Sequence, residues 1–166
     1  MKLNSRRTIL TGLAFLSICA FWQMYDSVIP LILTKTFHMN ETFSGAIMAA
    51  DNVLALFLLP FFGARSDKTN TKIGKRMPYI LFGTGCAVIL MNLLPLMDNS
   101  YAAAPSGFKT ASFVIVLGLL LIAMGTYRSA AVALMPDLTP KPLRSRANAI
   151  INLMGAVGGI LYLAVA

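Results

Sequence analysis

The sequence predicts an all-α integral membrane protein with five transmembrane helices. Two observations carry this. Of its 166 residues, 57% are hydrophobic and only 12% charged, where soluble domains carry about 25% charged residues. The apolar residues also fall into long runs, and the bases collect in the short segments between them. A mean hydropathy of +0.73 agrees. Backbone groups in lipid must be satisfied within the segment, which favours helices. The strands of an outer-membrane barrel would alternate polar and apolar residues, and these runs do not. A net charge of +8 can signal nucleic acid. Here the bases have the distribution of membrane loops, so lipid head groups are the expected partner and nucleic acid is not.

The first span is expected over about 8–33, behind the bases Lys2, Arg6 and Arg7. It is too long for a signal-peptide core, and no small-residue cleavage site follows it. A span needs about 20 residues, so tilt or an extended end is expected. After a polar loop, the second span is expected over about 42–62 and the third over about 78–97. Pro105 and Gly107 mark the next loop, and the fourth span follows over about 110–135. Pro136, Pro140 and Pro142 are expected to stop that helix, and a fifth runs over about 147–166. Bases cluster at the N-terminus, between spans 2 and 3 (Arg65, Lys68, Lys72, Lys75, Arg76) and between spans 4 and 5 (Lys141, Arg144, Arg146). The opposite loops hold only Lys35 and Lys109. This places the N-terminus in the cytoplasm of a multi-pass protein of the cell membrane.

The segment Gly63 to Pro78 carries the most specific pattern. Gly63-x-x-Ser66-Asp67-Lys68 is followed by Gly74-Lys75-Arg76-x-Pro78. Charge alone would make it a topogenic loop. The register of acid, glycines, paired bases and proline resembles the loop between helices 2 and 3 of major facilitator superfamily transporters. The gap between acid and second glycine is similar to that of the sucrose–proton and glycoside–pentoside–hexuronide cation symporters. The resemblance implies the first five helices of a twelve-helix fold built from two six-helix halves. Helix 6 and the second half would be absent, so a truncated chain is the expectation, the rest of the transporter being its partner. The resemblance also implies a gating role for Gly63, Asp67, Lys68, Gly74, Lys75, Arg76, Arg144 and Arg146. Asp67 would pair with Arg144 or Arg146, or sit at a helix N-terminus.

Charged groups inside spans are costly, roughly 2.5–3.5 kcal/mol at the centre, and are functional candidates by default. Three qualify: Asp26, Asp51 and Arg128. At about 1.5 Å per residue, Asp26 and Arg128 lie roughly 10 Å inside their spans and Asp51 roughly 14 Å. Trp22 and Asp26 are one helical turn apart, with Gln23 and Tyr25 adjoining. An aromatic ring beside hydrogen-bonding groups suits a sugar, since the ring covers the apolar C–H face while polar groups take the hydroxyls. Tyr25 is equally readable as part of an interfacial aromatic belt. Asp51-Asn52 is the most polar point of span 2. An aspartate there can cycle a proton or, with Asn52, hold sodium. A structural Asp paired to a neighbouring helix is the alternative. The sequence does not choose between the ions.

Arg128 keeps its charge when buried and can bond sugar hydroxyls or a carboxylate. The stretch Tyr127-Arg128-Ser129-Ala130 through Pro136-Asp137-Leu138 resembles helix 4 of sucrose-type symporters, and Arg144-x-Arg146-Ala147-Asn148-Ala149 the start of their helix 5. That resemblance implies a role in coupling and substrate binding for Arg128. Thr126-Tyr127 departs from the Pro-Cys typical there, which puts the substrate in doubt. In span 5, Gly155-x-x-x-Gly159 favours close helix packing.

The expected function is therefore cation-coupled sugar symport by alternating access. Trp22, Gln23, Asn52 and Arg128 are the candidate substrate contacts, and Asp26 and Asp51 the candidate coupling residues. No catalytic residue, metal site or cofactor beyond the coupling proton or sodium is expected. His38 is the lone histidine, and Cys19 and Cys86 have no ligand spacing. An intramembrane protease is disfavoured because Asp51 has no flanking glycine. A non-transporting fragment, or a half that needs a partner chain, is the remaining alternative.

Overall fold

A computed structural model describes residues 5–165, without the side chains of residues 5–7, Asp51 and Met135. Lys2 of the basic N-terminal segment lies outside the described residues. Five helices make up the fold: α1 (Ser5–Lys35), α2 (Glu41–Lys68), α3 (Met77–Ala103), α4 (Gly107–Leu138) and α5 (Arg144–Val165), with a 3-10 turn at Lys141–Leu143. Each helix is long and apolar enough to cross a bilayer. Large apolar side chains stay exposed along them, Leu56 at 70% and Phe57 at 68%. In water such a surface would be a liability; in lipid it is the solvated face.

Local chemistry sets several helix ends. The Asn40 side chain caps α2 by accepting from the Thr42 amide. Pro78 lies in the first turn of α3, where its missing N–H costs nothing. Lys109 Nζ donates to the Ser100 and Ala104 carbonyls at 2.7 and 2.9 Å, closing the end of α3. Helix α4 does not stop at Pro136, as its sequence suggests, but runs on to Leu138. A proline removes one N–H, and the carbonyls beyond find other donors. Arg144 supplies them, Nη2 to Pro136 O (3.0 Å) and Nε to Thr139 O (3.3 Å). A cation at a helix C-terminus is favoured by the dipole as well.

The chain divides into two compact units, Met1–Ser27 with Ala131–Ala166, and Val28–Ala130. Within the first, α1 and α5 meet through small residues. A Cβ on Gly155 would lie 2.9 Å from Cys19 Sγ. One on Gly12 would collide with Met154 Sδ, and one on Gly158 with the Leu16 carbonyl oxygen. The close approach thus uses Gly155 and Gly158. Gly159, the second glycine of the sequence pattern, has only Gln23 Oε1 nearby at 3.9 Å. The helix face turns by one residue relative to the small-x-x-x-small register, and the packing principle is unchanged.

The second unit is built around α4. Leu117, Leu120, Leu121, Met124 and Tyr127 are all buried. Helix α2 approaches at Gly125, whose Cβ would lie 3.3 Å from Leu58 Cβ, and at Ser129, whose Oγ donates to Leu59 O at 2.6 Å. Helix α3 approaches at Gly83, where a Cβ would lie 2.9 Å from Tyr127 Cβ and 3.0 Å from Ala123 O. The rings of Phe37, Tyr101 and Phe113 close one end, with centroids 4.2 and 4.6 Å from that of Phe37.

Gly158→Ala forces α1 and α5 apart against backbone, so it should destabilise the protein by about 1–3 kcal/mol. Gly45→Ala, with nothing within 4 Å, should instead stabilise α2 by about 0.5–1 kcal/mol. Thermal unfolding of the two variants in one detergent checks the contrast.

Candidate functional site

The best-defined polar cluster joins the end of α2 to the start of α3. Helix α2 runs past Gly63 to Lys68, so the first half of the sequence motif is helical. Only Thr69–Arg76 is a connection. Ser66 is fully buried. Its Oγ donates to the Gly63 carbonyl at 2.8 Å and accepts from Arg76 Nη1 at 3.1 Å. Arg76 Nη2 pairs with Asp67 Oδ1 at 2.7 Å. Arg76 is only 8% exposed, and its planar fork serves both partners at once. Asp67 therefore sits in the last turn of α2, not at a helix N-terminus. Its ion pair is with Arg76. Arg144 is engaged by the carbonyls that end α4, and Arg146 is exposed.

The turn that returns the chain to Arg76 depends on Gly74, whose φ is +106°. Gly74 N–H donates to Thr71 O at 3.0 Å and Thr71 Oγ1 donates to Gly74 O at 2.6 Å. Thr69 Oγ1 donates to Arg65 O (3.0 Å) and is 2.8 Å from Tyr79 Oη. Lys68 and Lys75 are exposed at either side. Gly63 touches Ser129, its Cβ position lying 3.3 Å from Oγ, which accounts for the small residue there. Ser66 stands in the motif without a role read from sequence, and Thr69 and Tyr79 are members of the cluster outside the quoted pattern. The signal available was a serine next to the motif acid and a tyrosine one residue past the motif proline.

The intramembrane candidates are placed as follows. Trp22 is half-buried with its ring 6.2 Å from that of Tyr25 at 45°. Tyr25 is 1% exposed, which removes it from any lipid-facing belt. Gln23 is half-buried and Asp26 exposed, and Ser27 Oγ donates to Gln23 O at 2.8 Å. Asn52 is exposed, and its Nδ2 donates to Met48 O at 3.2 Å on its own helix. Asp51 lies in α2 between them in sequence, and its side chain is outside the described residues. Arg128 is half-buried. At about 100° per residue, the Gly125/Ser129 face of α4 lies opposite the Ala123/Tyr127 face. Since α2 takes the first and α3 the second, Arg128 is left on a third face with Leu117, Leu121 and Met124. Among the described residues, no group of three or more His, Cys, Asp or Glu could hold a metal ion.

A family model of the Major Facilitator Superfamily matches residues 11–166. The chain belongs to that superfamily. Among curated relatives, a sucrose transport protein of Arabidopsis thaliana is 33% identical over 139 residues, covering 76% of this chain and 23% of the relative. A sucrose transport protein of Oryza sativa subsp. japonica is 28% identical over 170 residues, covering 92% of this chain and 33% of the relative. Another of the same subspecies is 27% identical, covering 93% of this chain and 31% of the relative. The chain thus spans about a quarter to a third of the length of these relatives. No solved structure matches it. Membership of the superfamily and five apolar helices make this a multi-pass membrane protein of a transporter family.

An alanine at position 74 meets a backbone angle that L residues rarely adopt. Gly74→Ala should therefore cost about 1–3 kcal/mol and loosen the connection that delivers Arg76. Lys72→Ala, two residues away and exposed, should be neutral within about 0.5 kcal/mol. Unfolding midpoints of the two variants check the difference.

Proposed function

We propose that this chain supplies part of a sugar transporter that works by cation-coupled symport and alternating access, with its N-terminus in the cytoplasm of the cell membrane. The observation that carries the reading is the likeness to sucrose transport proteins over as much as 95% of the chain. The residue chemistry supports it helix by helix. On α1, Trp22 offers a ring face to the C–H side of a sugar, and Gln23 offers an amide to its hydroxyls. On α4, Arg128 offers a guanidinium fork from a face that carries neither the α2 nor the α3 contact. On α2, Asn52 offers a further amide. Asp26 and Asp51 are the coupling carboxylates, each able to carry a proton or to contribute oxygens to sodium.

The cluster at the end of α2 serves gating in this reading. Arg76, Asp67 and Ser66 hold one arrangement of α2 against α3, and a state held by specific contacts has its population biased by them. Gly63 lets α2 pass close to Ser129, Gly74 sets the turn, and Lys68 and Lys75 set the charge around it. Arg144 and Arg146 act at the start of α5.

Uptake of labelled sucrose into energised vesicles, using the complete polypeptide that contains this sequence, tests the reading. Gradient-dependent accumulation is expected. Arg128→Lys keeps the charge but loses the fork, and should reduce uptake roughly 10–100-fold by weakening charged hydrogen bonds. Asp51→Asn should abolish accumulation against a gradient. A protonophore that stops uptake in sodium-free buffer identifies the proton as coupling ion. Accumulation that survives Asp51→Asn refutes the coupling assignment, and failure to move any mono- or disaccharide refutes the sugar reading. Asp67→Asn should leave sugar binding intact while slowing turnover, and unchanged uptake kinetics would remove Asp67 from gating.

A further inference from the structure

Beside the Arg76 cluster, on the outer face of α2, lies an open cavity of about 500 Å³ lined by Phe61, Ala64, Arg65, Lys68, Thr69 and Tyr79. The α2 members are three and four residues apart, so they share one helix face. Two cations, Arg65 and Lys68, reach into it and both are exposed. No acid lines it. Asp67, the nearest acid in sequence, is committed to Arg76 at 2.7 Å. The hydroxyls are also spoken for: Thr69 donates to Arg65 O, which leaves the Tyr79 hydroxyl as donor in the 2.8 Å Thr69–Tyr79 bond. The cavity's available donors are therefore the guanidinium and the ammonium. Toward the bilayer interior the same face continues with Phe61 and, one turn further, Phe57, which are 61% and 68% exposed. Along α2 the face thus reads apolar, apolar, cationic, cationic.

That order matches one class of ligand. The geometry points to a binding site for an anionic phospholipid, its phosphate between Arg65 and Lys68 and an acyl chain along Phe61 and Phe57. Charge complementarity selects an anionic over a zwitterionic head group. The apolar strip running into the bilayer selects a lipid over a soluble phosphate, which would have no use for it. Bidentate Arg–phosphate bonding is the expected contact, with Lys68 as a point charge. The site adjoins the turn that holds Ser66, Asp67 and Arg76, so occupancy would brace the end of α2. It depends on membrane residence alone and stands whether or not the transported substrate is a sugar.

Native mass spectrometry of the full chain in detergent, titrated with phosphatidylglycerol and with phosphatidylcholine of the same acyl chains, tests this. Phosphatidylglycerol should bind in preference. Arg65→Gln/Lys68→Gln should weaken it by about 30-fold, taking roughly 1 kcal/mol per base near the head groups. Lys72→Gln/Lys141→Gln removes the same charge from exposed positions outside the cavity and should leave binding within about 3-fold. Should the first pair fail to fold, Arg65→Gln and Lys68→Gln alone should each lower binding about 5-fold on the same scale. Equal binding of the two lipids, equal losses in both double variants, or displacement of the lipid by millimolar glycerol phosphate would each overturn the proposal.

Discussion

The cluster depends on a single buried cation. Arg76 loses nearly all its contact with solvent, and a guanidinium cannot shed its charge to escape the cost. It must be met by acceptors, and α2 supplies two from adjacent residues, Ser66 and Asp67. That requirement fixes much of what surrounds it. Ser66 must be buried and must direct its own O–H to the Gly63 carbonyl as a hydrogen-bond donor. The chain must reverse within Thr69–Lys75, which places Gly74 at a positive φ. Helix α3 must then begin at Met77, directly after the arginine.

Helix α4 provides the second constraint. In lipid the hydrophobic effect does not drive helices together, so close backbone approach and a few interhelical hydrogen bonds do. Gly83, Gly125, Gly63 and Ser129 supply both, and they place α2 and α3 on opposite faces of α4. The charged residue of α4 is thereby confined to the remaining face. The Gly63 contact lies about one turn from Ser66 and the Ser129 bond to Leu59 O about two, so the two constraints reinforce each other along α2.

Much of this was readable in the residues. Apolar run length and the sites of the bases mark five helices and the connection that matters, and the spacing of Gly63, Asp67, Gly74, Lys75 and Arg76 marks the family. Partners were less readable, because pairing is set in three dimensions. Asp67 finds Arg76 because α2 continues through the motif, and a serine-acid-lysine run carries no strong stop signal against that continuation. Pro136 reads as a helix end, yet α4 runs on to Leu138, and Arg144, eight residues on, caps the Pro136 carbonyl near its end. In α5 the spacing of Gly155, Gly158 and Gly159 permits two registers, and only the path of α1 decides for Gly158. Trp22, Asp26, Asn52 and Arg128 were visible as costly polar groups in apolar runs. Which solute they serve is a question of chemistry that spacing does not encode.

The sugar-transport reading treats the α2–α3 connection as a latch whose strength sets how long one state persists. A double-mutant cycle on thermal unfolding, with Ser66→Ala, Arg76→Gln and the pair, tests that latch most directly. Both residues are buried and 3.1 Å apart. The account predicts a coupling energy of about 1 kcal/mol or more, as for hydrogen bonds to a charged group. Additivity within about 0.3–0.5 kcal/mol would mean that Arg76 does not hold α2 to α3, and would contradict it.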